Sequence, residues 1–225
     1  MMTGRIHAIQ TLGTVDGPGL RTVIFLQGCP LSCFYCHNPK SWDFSKGTLM
    51  DVEEIIAKIL KLKDYYGSEG GVTLSGGEPT AQAEFATELF KRFNEHGIHT
   101  ALDTAGPILN AAVKELLNYT DLVILDIKSA NPSEFHHITG GELSHTQAFL
   151  NECITRGKKL WIRQVIIEGL NDDLAHMDAL AKFVHGIPRE LIGRVELLGS
   201  VQNLIVLQNQ FRIISNNKSS ICSDM

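Results

Sequence analysis

The chain has 225 residues, 44% of them hydrophobic, which suits one large domain or one domain with a small appendage. Its net charge is −5, with no basic stripe and no run of like charges, so nucleic acid and anionic membranes are excluded as expected partners. Residues 1–7 lack the apolar stretch of a secretory signal, no later run reaches membrane-spanning length, and five cysteines are an odd count for a disulfide framework; a reducing, cytoplasmic setting is expected.

In chain order, Thr14-Val15-Asp16-Gly17-Pro18-Gly19 forms a turn of fixed backbone angles. It either holds Asp16 at a cavity mouth or serves only as an entry to the first strand, expected near 22–27. Directly after that strand comes Cys29-Pro30-Leu31-Ser32-Cys33-Phe34-Tyr35-Cys36, three thiols within eight residues. One short loop can aim three thiolates at one point, and thiolates hold iron–sulfur clusters. Three ligands for a four-iron cube leave one iron open to a substrate or cofactor. Two alternatives share these residues. Cys33-Phe34-Tyr35-Cys36-His37 fits the C-x-x-C-H pattern of haem attachment, and His37 could complete a zinc set, although its adjacency to Cys36 makes that geometry awkward.

Val52, Ile55, Ile56, Ile59 and Leu60 follow the helical template, with Asp51 and Glu54 as a capping-box start. A strand near 72–75 runs into Ser75-Gly76-Gly77-Glu78-Pro79. The two glycines permit close approach of a ligand to the backbone, and a backbone acceptor or Glu78 could receive an ammonium group. The competing reading is a tight turn with Glu78 near a helix start. Phe85, Leu89, Phe90 and Phe93 mark the next helix. Strands near 98–103 and 121–127 end on Asp103-Thr104 and Asp126-Ile127-Lys128, which suit ribose hydroxyls or an amino-acid head group unless Asp126 and Lys128 merely pair with each other.

Further helices are expected around Val113, Leu116 and Leu117, around Phe149, Leu150, Cys153 and Ile154, and around Leu174, Met177, Leu180, Ala181 and Val184. Gly97, Gly157 and Gly186 fall where C-caps belong. In a strand at 160–167, Arg163 points inward if Trp161 does, and an interior arginine needs an anion: a cofactor carboxylate, or Asp103 or Asp126. A last strand is expected near 194–198. His7, His96, His99, His136, His137, His145, His176 and His185 read as surface or turn residues, Cys153 as core and Cys222 as incidental.

Alternating strands and helices predict an α/β fold, a parallel sheet with helices outside. The polar residues gather at the ends of strands, where barrel-like folds build their sites. An open, partial (β/α)6 barrel over residues 1–198 is predicted, with 199–225 as a separate tail.

Together these residues resemble the radical S-adenosylmethionine (SAM) superfamily and, within it, the pyruvate formate-lyase-activating enzyme family. The resemblance runs from Gly4 to Leu198 and rests on Gly4-Arg5-Ile6-His7, the turn around Asp16, Gln27-Gly28-Cys29, Tyr35-Cys36-His37-Asn38, the Gly76-Gly77-Glu78 turn, Gln82-Ala83-Glu84-Phe85, Leu102-Asp103-Thr104, Leu125-Asp126-Ile127-Lys128 and Trp161-Ile162-Arg163. It implies that Cys29, Cys33 and Cys36 hold a [4Fe–4S] cluster whose fourth iron chelates SAM. Tyr35, Cys36, His37, Gly76, Gly77, Glu78, Asp103, Thr104, Asp126, Ile127 and Lys128 are implied around SAM, with Gly77 at its amino group. One electron cleaves the sulfonium in this family, and the resulting radical takes a hydrogen atom from a glycine of the partner enzyme. Asp16, His37 and Arg163 are implied near that glycine as catalytic candidates.

The stretch from His37 to Gly76 lacks the cysteines of auxiliary clusters, which points to the pyruvate formate-lyase branch. A flavodoxin or ferredoxin electron donor is implied, and a monomer is expected. An activase of anaerobic ribonucleotide reductase fits less well. After Leu198 the pattern departs: Val201 stands where the family places a SAM-contacting histidine, as in a frameshifted or alternatively spliced end. An iron–sulfur or zinc-binding relic without SAM turnover is the alternative function.

Overall fold

A computed structural model describes residues 2–199 of the chain. The expectations for Val201, Cys222 and the rest of the tail beyond Gly199 lie outside the described residues.

The first strand, β1 (Thr3–Gly13), pairs antiparallel with β2 (Arg21–Leu26) and with β3 (Thr48–Asp51). From β2 onward the sheet is parallel, through β4 (Gly71–Gly76), β5 (His99–Thr104), β6 (Leu122–Asp126), β7 (Lys159–Val165) and β8 (Ile192–Leu198). The strand order is β3-β1-β2-β4-β5-β6-β7-β8, and the two edge strands do not pair with each other. The six expected strands are therefore the six parallel ones, in sequence order, and the sheet stays open. β1 and β3 were not anticipated, because β1 buries only Gly4 and Ile6 and offers no apolar run. Gly4 is required there: a Cβ would stand 2.3 Å from the Phe85 ring.

The helices are α1 (Val52–Ile59), α2 (Ala83–Glu95), α3 (Ala111–Asn118), α4 (Pro132–Thr139), α5 (Leu143–Thr155) and α6 (Leu174–His185). Asp51 caps α1 by accepting from Glu54 N at 2.9 Å, which is one half of the expected capping box. Gly97 and Gly157 follow their helices in left-handed conformation, at φ +66° and +65°. Gly186 does not; at φ −71° it ends α6 as any residue could. α4 escaped the periodicity because only Phe135 and Ile138 carry its apolar stripe. Its end signals are explicit: Asn131 accepts from Ser133 N and Glu134 N, Pro132 opens the first turn, and Gly140 closes it at φ +70°.

Two-residue alternation divides the strands between two environments. The outer face (Ile24, Leu26, Val72, Leu74, Leu102, Val123, Leu125, Leu160 and Ile162) packs with Ile55, Ile59, Phe90, Phe93, Leu116, Phe149 and Leu180 of the helices in one core. Each such side chain contributes about 1.5–3 kcal/mol by leaving water. On the inner face the sequence changes character along each strand. Ala101, Ile124 and Trp161 pack together lower down, while Ser75, Asp103, Asp126 and Arg163 stand at the C-terminal ends and line a cavity.

Candidate active site

The cavity has a volume of about 760 Å³ and is walled by the cysteine loop, the Gly76-Gly77-Glu78 turn and the ends of β5 to β8. Cys29, Cys33 and Cys36 all line it, with Leu31 and Ala105 packed among the thiols. The loop is held by its backbone. Gly28 N donates to Ser41 O at 2.7 Å, Ser32 N to Thr139 O at 2.9 Å, and Phe34 N to Ile138 O at 3.2 Å, so the end of α4 fixes the middle of the loop. The Gln27 amide donates to Lys40 O and Asp43 O, and the Gln82 amide to Arg5 O and Gln27 O, at 2.8–2.9 Å.

Gly76 and Gly77 are needed by this loop. A Cβ on Gly77 would lie 2.3 Å from Gly28 O, and one on Gly76 (φ +109°) 2.4 Å from Leu26 N. Their close neighbour is the backbone leading into the cysteine loop, although both residues also line the cavity. Glu78 is committed elsewhere. Its carboxylate accepts four hydrogen bonds, from Thr80 N (3.0 Å), Thr80 Oγ1 (2.7 Å), Thr104 Oγ1 (2.6 Å) and Ala105 N (3.2 Å). These bonds use the Glu78 side chain to brace the turn against β5, while the residue also lines the cavity. Burial raises its carboxyl and the hydrogen bonds oppose that rise. Thr104 is used in the same brace, since its hydroxyl also accepts from Gly106 N at 2.8 Å.

Asp126 and Lys128 do pair, at 2.6 Å. Burial works against the charge of Lys128, but the Asp126 carboxylate holds the amine well above the ordinary lysine value. Lys128 Nζ also stands 5.6 Å from the centroid of the Tyr35 ring. Two polar atoms among these residues remain buried without a partner: Asp126 Oδ1 and Tyr35 Oη. Ile127 is not among the residues that line the cavity. Its side chain is fully buried in the outer core, and only its N–H serves the site's frame, donating to Arg163 O at 2.7 Å.

Arg163 is 8% exposed and finds the anions it needs within the protein. Nη1 lies 3.5 Å from Asp103 Oδ2 and Nε 3.4 Å from Glu196 Oε2. Asp103 also accepts from Ser75 Oγ at 2.8 Å, and burial raises its carboxyl against the pull of Arg163. Glu196 was not singled out from the sequence; its signal was a lone charge in the apolar run Val195-Glu196-Leu197-Leu198, in register with Arg163. His37 lines the cavity and is exposed. Asp16 is not part of the cavity wall; it is half-buried, and its carbonyl accepts from Thr73 Oγ1 at 2.6 Å. Two histidines read as surface residues are structural instead. His99 Nδ1 lies 3.2 Å from Arg21 Nη2, and His176 Nε2 lies 2.6 Å from Glu134 Oε1.

These residues fit a cluster and a polar cofactor. Among the described residues no three His, Cys, Asp or Glu side chains converge as ligands of a single ion, whereas a cubane takes each thiolate at its own iron. Burial, followed by the Glu78 carboxylate, pushes the Cys29 thiol up to about 12, and bound positive charge would favour its thiolate. The orphaned Asp126 Oδ1 and Tyr35 Oη each carry a cost of about 1–3 kcal/mol that a ligand's hydrogen bond would remove.

Residues 23–181 match the Radical SAM superfamily. A pyruvate formate-lyase-activating enzyme of Clostridium pasteurianum is 44% identical over 199 residues, which cover 88% of this chain and 82% of the relative. A domain of pyruvate-formate lyase-activating enzyme from Bacteroides vulgatus superposes with a TM-score of 0.59 at 26% identity, over 66% of this chain and 94% of that one. SuiB of Streptococcus suis bound to S-adenosylmethionine shares the fold, with a TM-score of 0.68 at 16% identity over 86% of this chain and 43% of its own. On this sequence identity and this fold, the chain belongs to the radical SAM superfamily and, within it, to the family of pyruvate formate-lyase-activating enzymes.

Proposed function

We propose that this protein is a glycyl-radical activase that modifies a glycine of pyruvate formate-lyase, with a [4Fe–4S] cluster and SAM as cofactors. The observation that carries the reading is the convergence of Cys29, Cys33 and Cys36 on the same cavity as the unpartnered Asp126 Oδ1 and Tyr35 Oη. When bound, cluster and SAM supply one-electron cleavage of the sulfonium and abstraction of a hydrogen atom. The chain does the rest. Cys29, Cys33 and Cys36 hold the cluster. Gly77 meets the SAM amino group, Asp126 and Tyr35 supply polar contacts to its ribose and adenosyl side, and Lys128 holds Asp126 in place through its 2.6 Å contact. Arg163, Asp16 and His37 stand toward the incoming glycine segment, with Arg163 fixed by Asp103 and Glu196. The electron donor is flavodoxin or ferredoxin, and the protein acts as a cytoplasmic monomer; no described helix is long and apolar enough to cross a membrane.

The test is anaerobic reconstitution with iron and sulfide, then low-temperature EPR of the reduced protein with and without SAM, then addition of pyruvate formate-lyase. A cubane signal that shifts with SAM, followed by a glycyl radical on the partner, is expected. A cluster indifferent to SAM would overturn the reading.

A further inference from the structure

Arg21 opens β2 with a fully buried guanidinium, and among the described residues its hydrogen-bond partners include no carboxylate. Uncharged groups satisfy it. Nε donates to Thr73 Oγ1 at 2.7 Å, Nη1 to Pro18 O at 3.0 Å, and Nη2 to Val72 O at 2.7 Å and His99 O at 3.3 Å. Thr73 then uses its own proton on Asp16 O, at 2.6 Å. One buried cation and one hydroxyl thus hold two carbonyls of the Asp16-Gly17-Pro18 turn. Gly17, between them, lies directly on the arginine: at φ +129°, its Cβ would stand 2.8 Å from Arg21 Cδ. The other end of the turn is tied to the cavity, where Arg163 Nη2 donates to Val15 O at 3.3 Å.

The turn therefore crosses the inner face of the sheet, from the start of β2 to an arginine of the cavity wall. The carbonyls of Val15, Asp16 and Pro18 all point into the protein, while the Val15 side chain is left 71% exposed. So much buried polar bonding is more than chain reversal needs, since Asp-Gly-Pro-Gly reverses the chain by its own backbone preferences. The bonds fix where the turn stands beside Arg163, a residue of the cavity wall.

We propose that Thr73 and Arg21 are positioning residues for the polypeptide substrate: through the carbonyls of Asp16 and Pro18 they hold Val15 and Asp16 in place beside Arg163, where the segment bearing the target glycine enters. This rests on the activase reading above. Neither residue lines the cavity, so they act on substrate binding and leave SAM cleavage alone. A binding segment that must first be ordered weakens substrate binding, and a loss of uniform binding is expressed in KM.

The experiment uses the full-length, cluster-loaded protein and its Thr73→Val, Thr73→Ser and Gly17→Ala variants. Three quantities are read: hydrogen exchange of residues 14–20, 5′-deoxyadenosine formation without partner, and KM and kcat for glycyl-radical formation on pyruvate formate-lyase. Thr73→Val is expected to speed exchange in 14–20 and raise KM about tenfold, the worth of one buried hydrogen bond, with partner-free SAM cleavage within about twofold of wild type. Thr73→Ser keeps the hydroxyl and is expected to restore both readouts. Gly17→Ala, which displaces the turn without removing a buried donor, is expected to raise KM in the same direction. Faster exchange with an unchanged KM would reduce the tether to a structural device and overturn the proposal, as would a Thr73→Ser variant that behaves like Thr73→Val. A wild-type protein that cleaves SAM yet leaves no radical on pyruvate formate-lyase would overturn the activase reading itself, and is recognised because the failure precedes any substitution.

Discussion

Asp126 Oδ2 accepts a hydrogen bond from Lys128 Nζ at 2.6 Å, and this pairing leaves Asp126 Oδ1 buried and unpartnered in a residue that lines the cavity. The free oxygen remains as an acceptor for a ligand hydroxyl. Removing the lysine takes away the ion-pair partner of a largely buried carboxylate, at a cost of up to about 3–5 kcal/mol. Lys128→Met is expected to lower the thermal midpoint sharply and weaken SAM binding. Asp126→Asn, which removes the charge but keeps the shape, is expected to be milder in stability and comparable in SAM affinity. Differential scanning calorimetry and equilibrium dialysis with labelled SAM check both.

The cysteines are separated by their surroundings. Cys29, Cys33 and Cys36 share the cavity, whereas Cys153 is fully buried on α5 in the main core. Alanine at any of the first three is expected to reduce iron and acid-labile sulfide per chain to a small fraction of wild type. Cys153→Ala is expected to keep full iron loading and lose only about 1 kcal/mol of stability, the value of a small core deletion. Iron and sulfide assay after reconstitution, with urea unfolding, distinguishes the two classes.

Glu78→Gln replaces an acceptor of four hydrogen bonds by an amide whose NH2 faces donors. At least one buried donor loses its partner, a cost of about 1–3 kcal/mol. Because the Glu78 N–H donates to Gly28 O at 2.8 Å, the loosened turn reaches the cysteine loop. Slower cluster reconstitution with the thiol count unchanged is the expected outcome; an unaltered loading rate would show that the turn and the loop are uncoupled.

His176 joins α6 to α4 through Glu134 Oε1 at 2.6 Å, and its Nδ1 stands 2.8 Å from Asp173 Oδ1 in an ion contact rather than an aligned hydrogen bond. Burial opposes the charged ring, but the two carboxylates outweigh it and raise the imidazole above its ordinary value of 6.5. A folded-state value above the unfolded one stabilises the protein fully below pH 6.5, and that contribution is lost as pH rises through the raised value. Unfolding free energy is therefore expected to fall above pH 6.5, with the decline flattened in His176→Gln. Denaturant titrations from pH 5.5 to 8.5 measure it.

The parallel half of the fold and most of the site were legible in the chain because both are written in local patterns. Short apolar runs announced the six parallel strands, and four of them led into residues that now line the cavity: the cysteine loop, Gly76, Asp103 and Asp126. Such runs arise because a strand covered by helices on its outer face must be apolar over most of its length. β1 stayed hidden because an antiparallel strand at the flank of the sheet needs only alternate burial, and α4 because its signals lie in its caps rather than in its stripe.

What only the tertiary structure decided is partnership. The sequence left Glu78 free to receive a ligand and Ile127 free to line one. Packing gave the Glu78 carboxylate to Thr80, Thr104 and Ala105, and two-residue alternation turned Ile127 into the outer core. Arg163 needed an anion, yet the choice of Asp103 and Glu196 follows from strand order and register, which set residues 60 and 33 positions away in sequence against one guanidinium. Local preference reaches a few residues along the chain; hydrogen bonds and ion pairs between distant residues depend on the three-dimensional distances that the sheet alone sets.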